Sequence, residues 1–328
     1  MKNHFYAILD KSHQPLKEKW VEMVSKTDGA PQGSSTQFIK YYWNSFNKLT
    51  REKDLFSTIV KSEELDKYKF LEGLFKASNL YVAMLDFRSK TYFKDDEVIS
   101  ILKLLREIKA TSFFPLIMAM DRCGLKSEMK RALHSIETMI LRNQVVMQKT
   151  ANRNEVFFSN LAESLSSGKI TIDEVIEEIN NKTEPDANVE PLFKTFSPKR
   201  SAARLILIDL YNFEKPGIML KENEIHLEHI MPVTKGKWDV SDEIWKEYHA
   251  RLGNLTLLYE KTNESLKNST YEIKRESYLK SKIEETADLA QKYDVWDTES
   301  ITKRQEELFE LFVRRWPIII CGEEIIDP

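Results

Sequence analysis

The sequence predicts a mainly α-helical protein with one small α+β part, and three observations carry that prediction. Glycine is scarce, at 9 of 328 residues, while Lys, Glu and Leu are abundant, a composition that favours long helices over a sheet-rich fold. Apolar residues recur largely at spacings of three and four, as in Leu65, Phe70, Leu71, Leu74 and Phe75. At 225–231 that period is lost. Ile225, Leu227 and Ile230 alternate with His226, Glu228 and His229, the pattern of a short strand whose end emerges into a site.

Composition narrows the function. With 41% hydrophobic and 31% charged residues, the chain has enough apolar material for a core and too much charge for a membrane protein. No stretch approaches the roughly 20 apolar residues that span a bilayer. The N-terminal Met1-Lys2-Asn3-His4-Phe5 opens no apolar run with a small-residue cleavage site, so no secretion signal is read. Cys123 and Cys321 are isolated, which makes neither a zinc knuckle nor a disulfide framework. The expected location is therefore the cytoplasm. A net charge of −3 means that any nucleic-acid contact must come from a local patch.

Taken in order, Leu16 to Met23 is amphipathic, and Asp28 to Gly33 is a loop by composition. Ser34 or Ser35 caps the next helix, whose Phe38, Tyr41, Tyr42, Trp43 and Phe46 read as packing residues. Helical patterns follow over 63–87 and 95–108. Pro115 sits in the first turn of another helix, where it removes no helical hydrogen bond, and Cys123-Gly124 stops it. Lys126 to Met147 reads as one long helix, with shorter ones at 160–163 and 171–179. The polar and proline-containing stretch 180–198 marks a soft boundary, and Lys199 to Phe213, apolar nearly all round, reads as a buried helix. Ile218 to Leu220 reads as extended, 225–231 as a strand stopped by Pro232, and 242–249 as a short helix. Leu252 to Leu258 is the second strand candidate. Ser269 is the expected cap of a helix over 270–282, and helices at 284–293 and 298–316 close the chain.

The segment 225–274 offers a carboxylate, two imidazoles and several amides. It lacks a nucleophile-elbow Ser or Cys and a GxxxxGK[ST] loop, so neither acyl transfer nor nucleotide hydrolysis is supported. Oxygen donors such as Glu228 and an Asn amide suit Mg²⁺ or Mn²⁺ better than structural zinc. One imidazole acting as base beside one metal is the minimal kit for phosphodiester hydrolysis. Downstream, Lys274, Arg275, Lys280 and Lys282 make either a solvated helix face or a contact to backbone phosphate, with Lys274 the favoured phosphate binder.

Three segments carry a resemblance: His226-Leu227-Glu228-His229-Ile230-Met231-Pro232, Leu252-Gly253-Asn254-Leu255-Thr256-Leu257-Leu258, and Asn263 with Leu266-Lys267-Asn268. Together they resemble the HNH (His-Me finger, ββα-metal) nuclease domain, in the variant found in the C-terminal half of GmrSD/SspE-type modification-dependent restriction enzymes. The resemblance implies a helical domain at 1–184 and a nuclease domain at 185–328, with a ββα-metal core at about 220–282 embedded in helices. It implies a metal-dependent endonuclease that nicks or cleaves double-stranded DNA, foreign or modified. His229 matches the general base and Asn254 the central Asn that ties the inter-strand loop to the metal-binding turn. Glu228 and Asn263 match metal ligands, and His226 a further ligand or phosphate contact. Lys267, Asn268, Lys274 and Arg275 are the expected DNA contacts. Glu228 replaces the commoner Asp, and Lys267 stands where this branch usually has Ser. The implied partner is an N-terminal ParB-like nucleotide-hydrolysing sensor. Its Asp-Gly-Gln-Gln-Arg type stretch does not occur in these residues, so the chain is read as a C-terminal fragment or a separate subunit. The alternative is a non-catalytic DNA-binding or interaction module with a degenerate nuclease core.

One geometric condition attaches to this reading. Glu228 and His229 point to opposite faces of a regular strand, so both serve one site only if the backbone leaves strand geometry there.

Overall fold

Where apolar residues recur at helical spacing, the chain is helical. The computed structural model describes residues 14–63, 65–88, 90–216, 220, 222–236, 238–259, 266 and 268–318. These fall into two units, one of residues 14–137 and 150–182, the other of residues 138–149 and 183–318.

The first unit contains α1 (Gln14–Gly29), α2 (Ser35–Asn44), α3 (Glu52–Lys61), α4 (Lys67–Ala83), α5 (Asp96–Glu107), α6 (Phe114–Arg122), most of α7 (Met129–Ile140), α8 (Asn152–Ser166) and α9 (Ile172–Lys182). Ser34 is the residue that caps α2, its side chain accepting from the Gln37 amide, and Asp66 and Asp95 do the same for α4 and α5. The aromatic residues of α2 are packing residues: Phe38 is fully buried, 5.1 Å between ring centres from Tyr81. The helix α3 was not expected, and only Leu55 and Ile59 on it are buried, too sparse a stripe to stand out.

The expected long helix over 126–147 has that extent but changes its hydrogen bonding twice. A 3₁₀ turn at Lys126–Glu128 leads into α7, and a π turn at Leu141–Val146 leads out. Arg142, in the π turn, is 1% exposed. Its guanidinium donates from Nε and Nη2 to the Trp316 carbonyl at 3.1 and 2.7 Å, and from Nη1 to the Glu184 carbonyl at 3.2 Å and the Asp186 carboxylate at 2.5 Å. The segment 138–149 belongs with the second unit through these bonds.

The second unit continues with α10 (Asp186–Phe193), α11 (Arg200–Glu214), β1 (Ile225–His229), α12 (Asp242–Tyr248), β2 (Leu255–Tyr259), α13 (Tyr271–Tyr278), α14 (Glu284–Lys292) and α15 (Thr298–Arg315). The boundary region 180–198 is thus largely helical. Val189 and Phe193, four residues apart, are both fully buried, and that burial outweighs Pro191 inside the helix. Ile218 and Met219 of the expected extended piece lie outside the described residues. The second strand starts later than expected, because Leu252–Asn254 forms a 3₁₀ turn. Gly253 lies against α15, and a side chain there would overlap the Ile301 carbonyl, so only glycine permits this approach. Thr270, not Ser269, is the N-cap residue of α13, which ends at Tyr278.

The strands β1 and β2 form a two-stranded antiparallel sheet, with Glu228 opposite Thr256 and His229 opposite Leu255. Ile230, Met231, Trp238, Tyr271, Tyr278 and Trp296 belong to the buried cluster beneath the turn that follows β1. No described helix is long and apolar enough to cross a membrane.

Candidate active site

The site grows from the end of β1. Strand pairing holds through His229, and the Ile230 amide still donates to the Asn254 carbonyl at 3.0 Å. The backbone therefore keeps strand geometry where the sequence reading needed it to break. Ile225, Leu227 and His229 share one face, and His226 and Glu228 the other.

Glu228 is 4% exposed. Its Oε1 accepts from the Lys274 ammonium at 2.7 Å and from the Tyr278 hydroxyl at 2.9 Å. Lys274, with no exposed surface, also donates to the His229 carbonyl at 2.7 Å. Burial raises the Glu228 carboxyl and lowers the Lys274 ammonium, and their attraction opposes both shifts. Burial, followed by the neighbouring carboxylate, raises Tyr278 well above its usual value, so it is a neutral donor.

Lys274 was expected on an exposed basic face. The structure instead directs it inward, because one turn of α13 brings Lys274 and Tyr278 together over Glu228. Arg275 is also engaged: its Nε donates to the Ala290 and Tyr293 carbonyls at 2.9 and 3.2 Å, and Nη2 meets Asp294 at 2.5 Å. It closes the C-terminal end of α14 rather than presenting a free guanidinium. Asn268 is exposed in a turn, and Asn263 and Lys267 lie outside the described residues.

Asn254 is fully buried and its amide uses its whole capacity. Oδ1 accepts from the Met231 amide at 2.8 Å and from Trp296 Nε1 at 2.9 Å. Nδ2 donates to the carbonyls of Met231 and His249, both at 2.8 Å. This residue holds the turn after β1 and has no group left for substrate.

His229 is half-buried, and no described residue hydrogen-bonds its ring. Burial, then the charges of Arg200, His249 and Lys274, hold the imidazole down at about 4. It is neutral at pH 7 and able to take a proton. His249, which sequence reasoning missed, stacks on Trp245 with ring centres 4.5 Å apart and lies 2.8 Å through Nδ1 from the Trp245 carbonyl. A carbonyl can only accept, so Nδ1 carries a proton in this contact. Arg200 was also missed; nothing in the sequence separates it from other helix-starting basic residues. His226 is half-buried beside Arg200 and Arg204 in a cleft along β1.

A divalent cation needs converging oxygen or nitrogen donors. Among the described residues no group of three or more His, Cys, Asp and Glu converges in that way. Glu228 already faces an ammonium, and His229 points to the other side of the strand. The described residues do not fit a resident Mg²⁺ or Mn²⁺.

Residues 184–311 match the family model of the GmrSD restriction endonucleases, C-terminal domain. This region is similar to a GmrSD-type C-terminal domain. The match covers less than half of the chain but takes in both strands and every engaged group around His229, Glu228, Asn254 and Lys274. No curated protein matches the chain. The match ends at 311, within α15, and its start at 184 falls one residue after the second unit resumes at 183.

Proposed function

We propose that the GmrSD-type domain hydrolyses phosphodiester bonds in double-stranded DNA as an HNH-type restriction endonuclease defending against foreign or modified DNA. The observation that carries this reading is His229: a neutral, unshared imidazole at the end of a strand, with its backbone gripped from two sides. Lys274 holds its carbonyl, and Asn254 holds the turn two residues on. His229 takes a proton from the attacking water, and a DNA phosphate beside the ring raises its proton affinity toward the working range. The strand–strand–helix order of β1, β2 and α13 supports assignment to the ββα class. A nucleotide-hydrolysing ParB-like sensor, as a further domain or a separate subunit in the cytoplasm, is the proposed partner.

Dependence on Mg²⁺ or Mn²⁺ belongs to the proposal, but no step is routed through the ion, because the described donors do not fit it. The test is plasmid nicking with and without divalent ions, by wild type and His229→Ala. Nicking that survives in His229→Ala rejects the assignment of the base. A second reading, a DNA-binding or interaction module without turnover, is favoured by the closed Glu228–Lys274 pair. It expects DNA binding with no nicking by either protein.

A further inference from the structure

The cleft along the free edge of β1 has no role in the proton transfer just described. It has a volume of about 580 Å³ and is lined by Arg200, Ser201, Arg204 and Asn223, together with Ile225, His226 and Leu227 of β1. Two guanidiniums and an imidazole face it, and among the described residues no carboxylate lines it, in a chain whose net charge is −3. Such a local concentration of positive charge in an otherwise acidic protein is the footprint of an anionic polymer. Arg204 is anchored by a hydrogen bond from Nη1 to the Ile225 carbonyl at 3.4 Å. Arg200 is exposed in the first turn of α11 and has no ion-pair partner among the described residues.

The cleft leads to the proposed base. Leu227 lines it and shares its face of β1 with His229, about 6.7 Å further along the strand. The charge of Arg200 is also felt at the His229 ring. Of the basic residues expected on this helix, Lys274 is engaged in the interior and Arg275 on α14, while Lys280 and Lys282 are exposed beyond the end of α13.

We propose that this cleft holds the sugar-phosphate backbone of DNA beside the phosphate that His229 serves, with Arg200 as the phosphate contact and Arg204 and His226 as its walls. The assignment rests on the nuclease reading for its choice of DNA. The contact is to backbone and therefore independent of sequence.

The experiment measures equilibrium binding of a short fluorescent duplex to the full chain carrying His229→Ala, across a salt series. Adding Arg200→Ala is expected to weaken binding and to reduce the slope of log K against log salt by about 0.9, the loss of one phosphate contact. Arg200→Glu weakens it further. Lys303→Ala, removing an exposed charge on α15, leaves the slope unchanged. An unchanged slope in Arg200→Ala overturns the cleft, as does an equal loss in Lys303→Ala. Wild-type nicking, measured in parallel, tests the enzyme separately. Nicking with an unchanged Arg200→Ala slope rejects the cleft alone, whereas the expected slope change without nicking rejects the enzyme alone. Failure of the His229→Ala protein to bind duplex rejects the cleft outright.

Discussion

The ammonium of Lys274 lies 2.7 Å from Oε1 of Glu228, and both side chains are shut away from solvent. Removing one partner of such a pair leaves an uncompensated buried charge, which typically costs about 3–5 kcal/mol. Lys274→Met is therefore expected to lower the denaturation midpoint sharply. Adding Glu228→Gln should recover most of the loss, because a neutral amide needs no counter-charge. Equal midpoints for Lys274→Met and wild type would show that the pair does not form.

The same pair bears on metal binding. A ligand that binds the native state raises Tm in proportion to its occupancy. In the free protein, Mg²⁺ or Mn²⁺ is expected to leave Tm unmoved, since Glu228 already has its cation. A rise that disappears in Glu228→Gln would return this carboxylate to metal coordination.

Acid sensitivity follows from His229, whose imidazole is lowered from 6.5 to about 4, first by burial. Below pH 6.5 the unfolded chain protonates this ring, whereas the folded protein does so only near 4. Stability at this position is thus lost as pH falls through that window. His229→Gln should flatten the decline. Denaturant midpoints at neutral pH and midway through the window measure it, and parallel declines would show the ring to be freely hydrated. The acid limb of kcat/KM for nicking should fall within the same window and be absent in any residual activity of His229→Gln.

Asn254 carries a prediction about geometry. An Asp in its place presents a carboxylate to the carbonyls of Met231 and His249, and neither can donate to it. Each buried group left unsatisfied costs about 1–3 kcal/mol. Asn254→Asp is expected to destabilise the domain and suppress nicking together, read by denaturation and plasmid assay. Full stability with full activity would remove the turn-holding role.

Much of the helical architecture was legible because core positions on α4, α5 and α6 repeat at helical spacing, and a buried stripe leaves that trace in any sequence. Less visible were features set by distant partners. Nothing local distinguishes the 3₁₀ turn at 252–254 from a strand, since Gly253 is fixed by its approach to α15. Near the site, the pattern Ile225-His226-Leu227-Glu228-His229 located the strand and its half-buried end. It did not reveal that Lys274 turns inward, because a lysine between Ile273 and Arg275 reads as surface until the carboxylate opposite it is known. Arg200 and His249 gave no signal, their significance arising only from proximity to His229.

The clasp of Arg142 on the Trp316 carbonyl sets a practical limit on dissecting the molecule. Cutting the chain at the boundary that composition suggests, near 184, would discard the guanidinium that closes the last turn of α15, together with Asn143, whose side chain receives the Glu184 amide. A fragment meant to stand alone has to begin upstream of the π turn, with 150–182 looped out or retained, or it leaves the terminal helix frayed beside the residues under study.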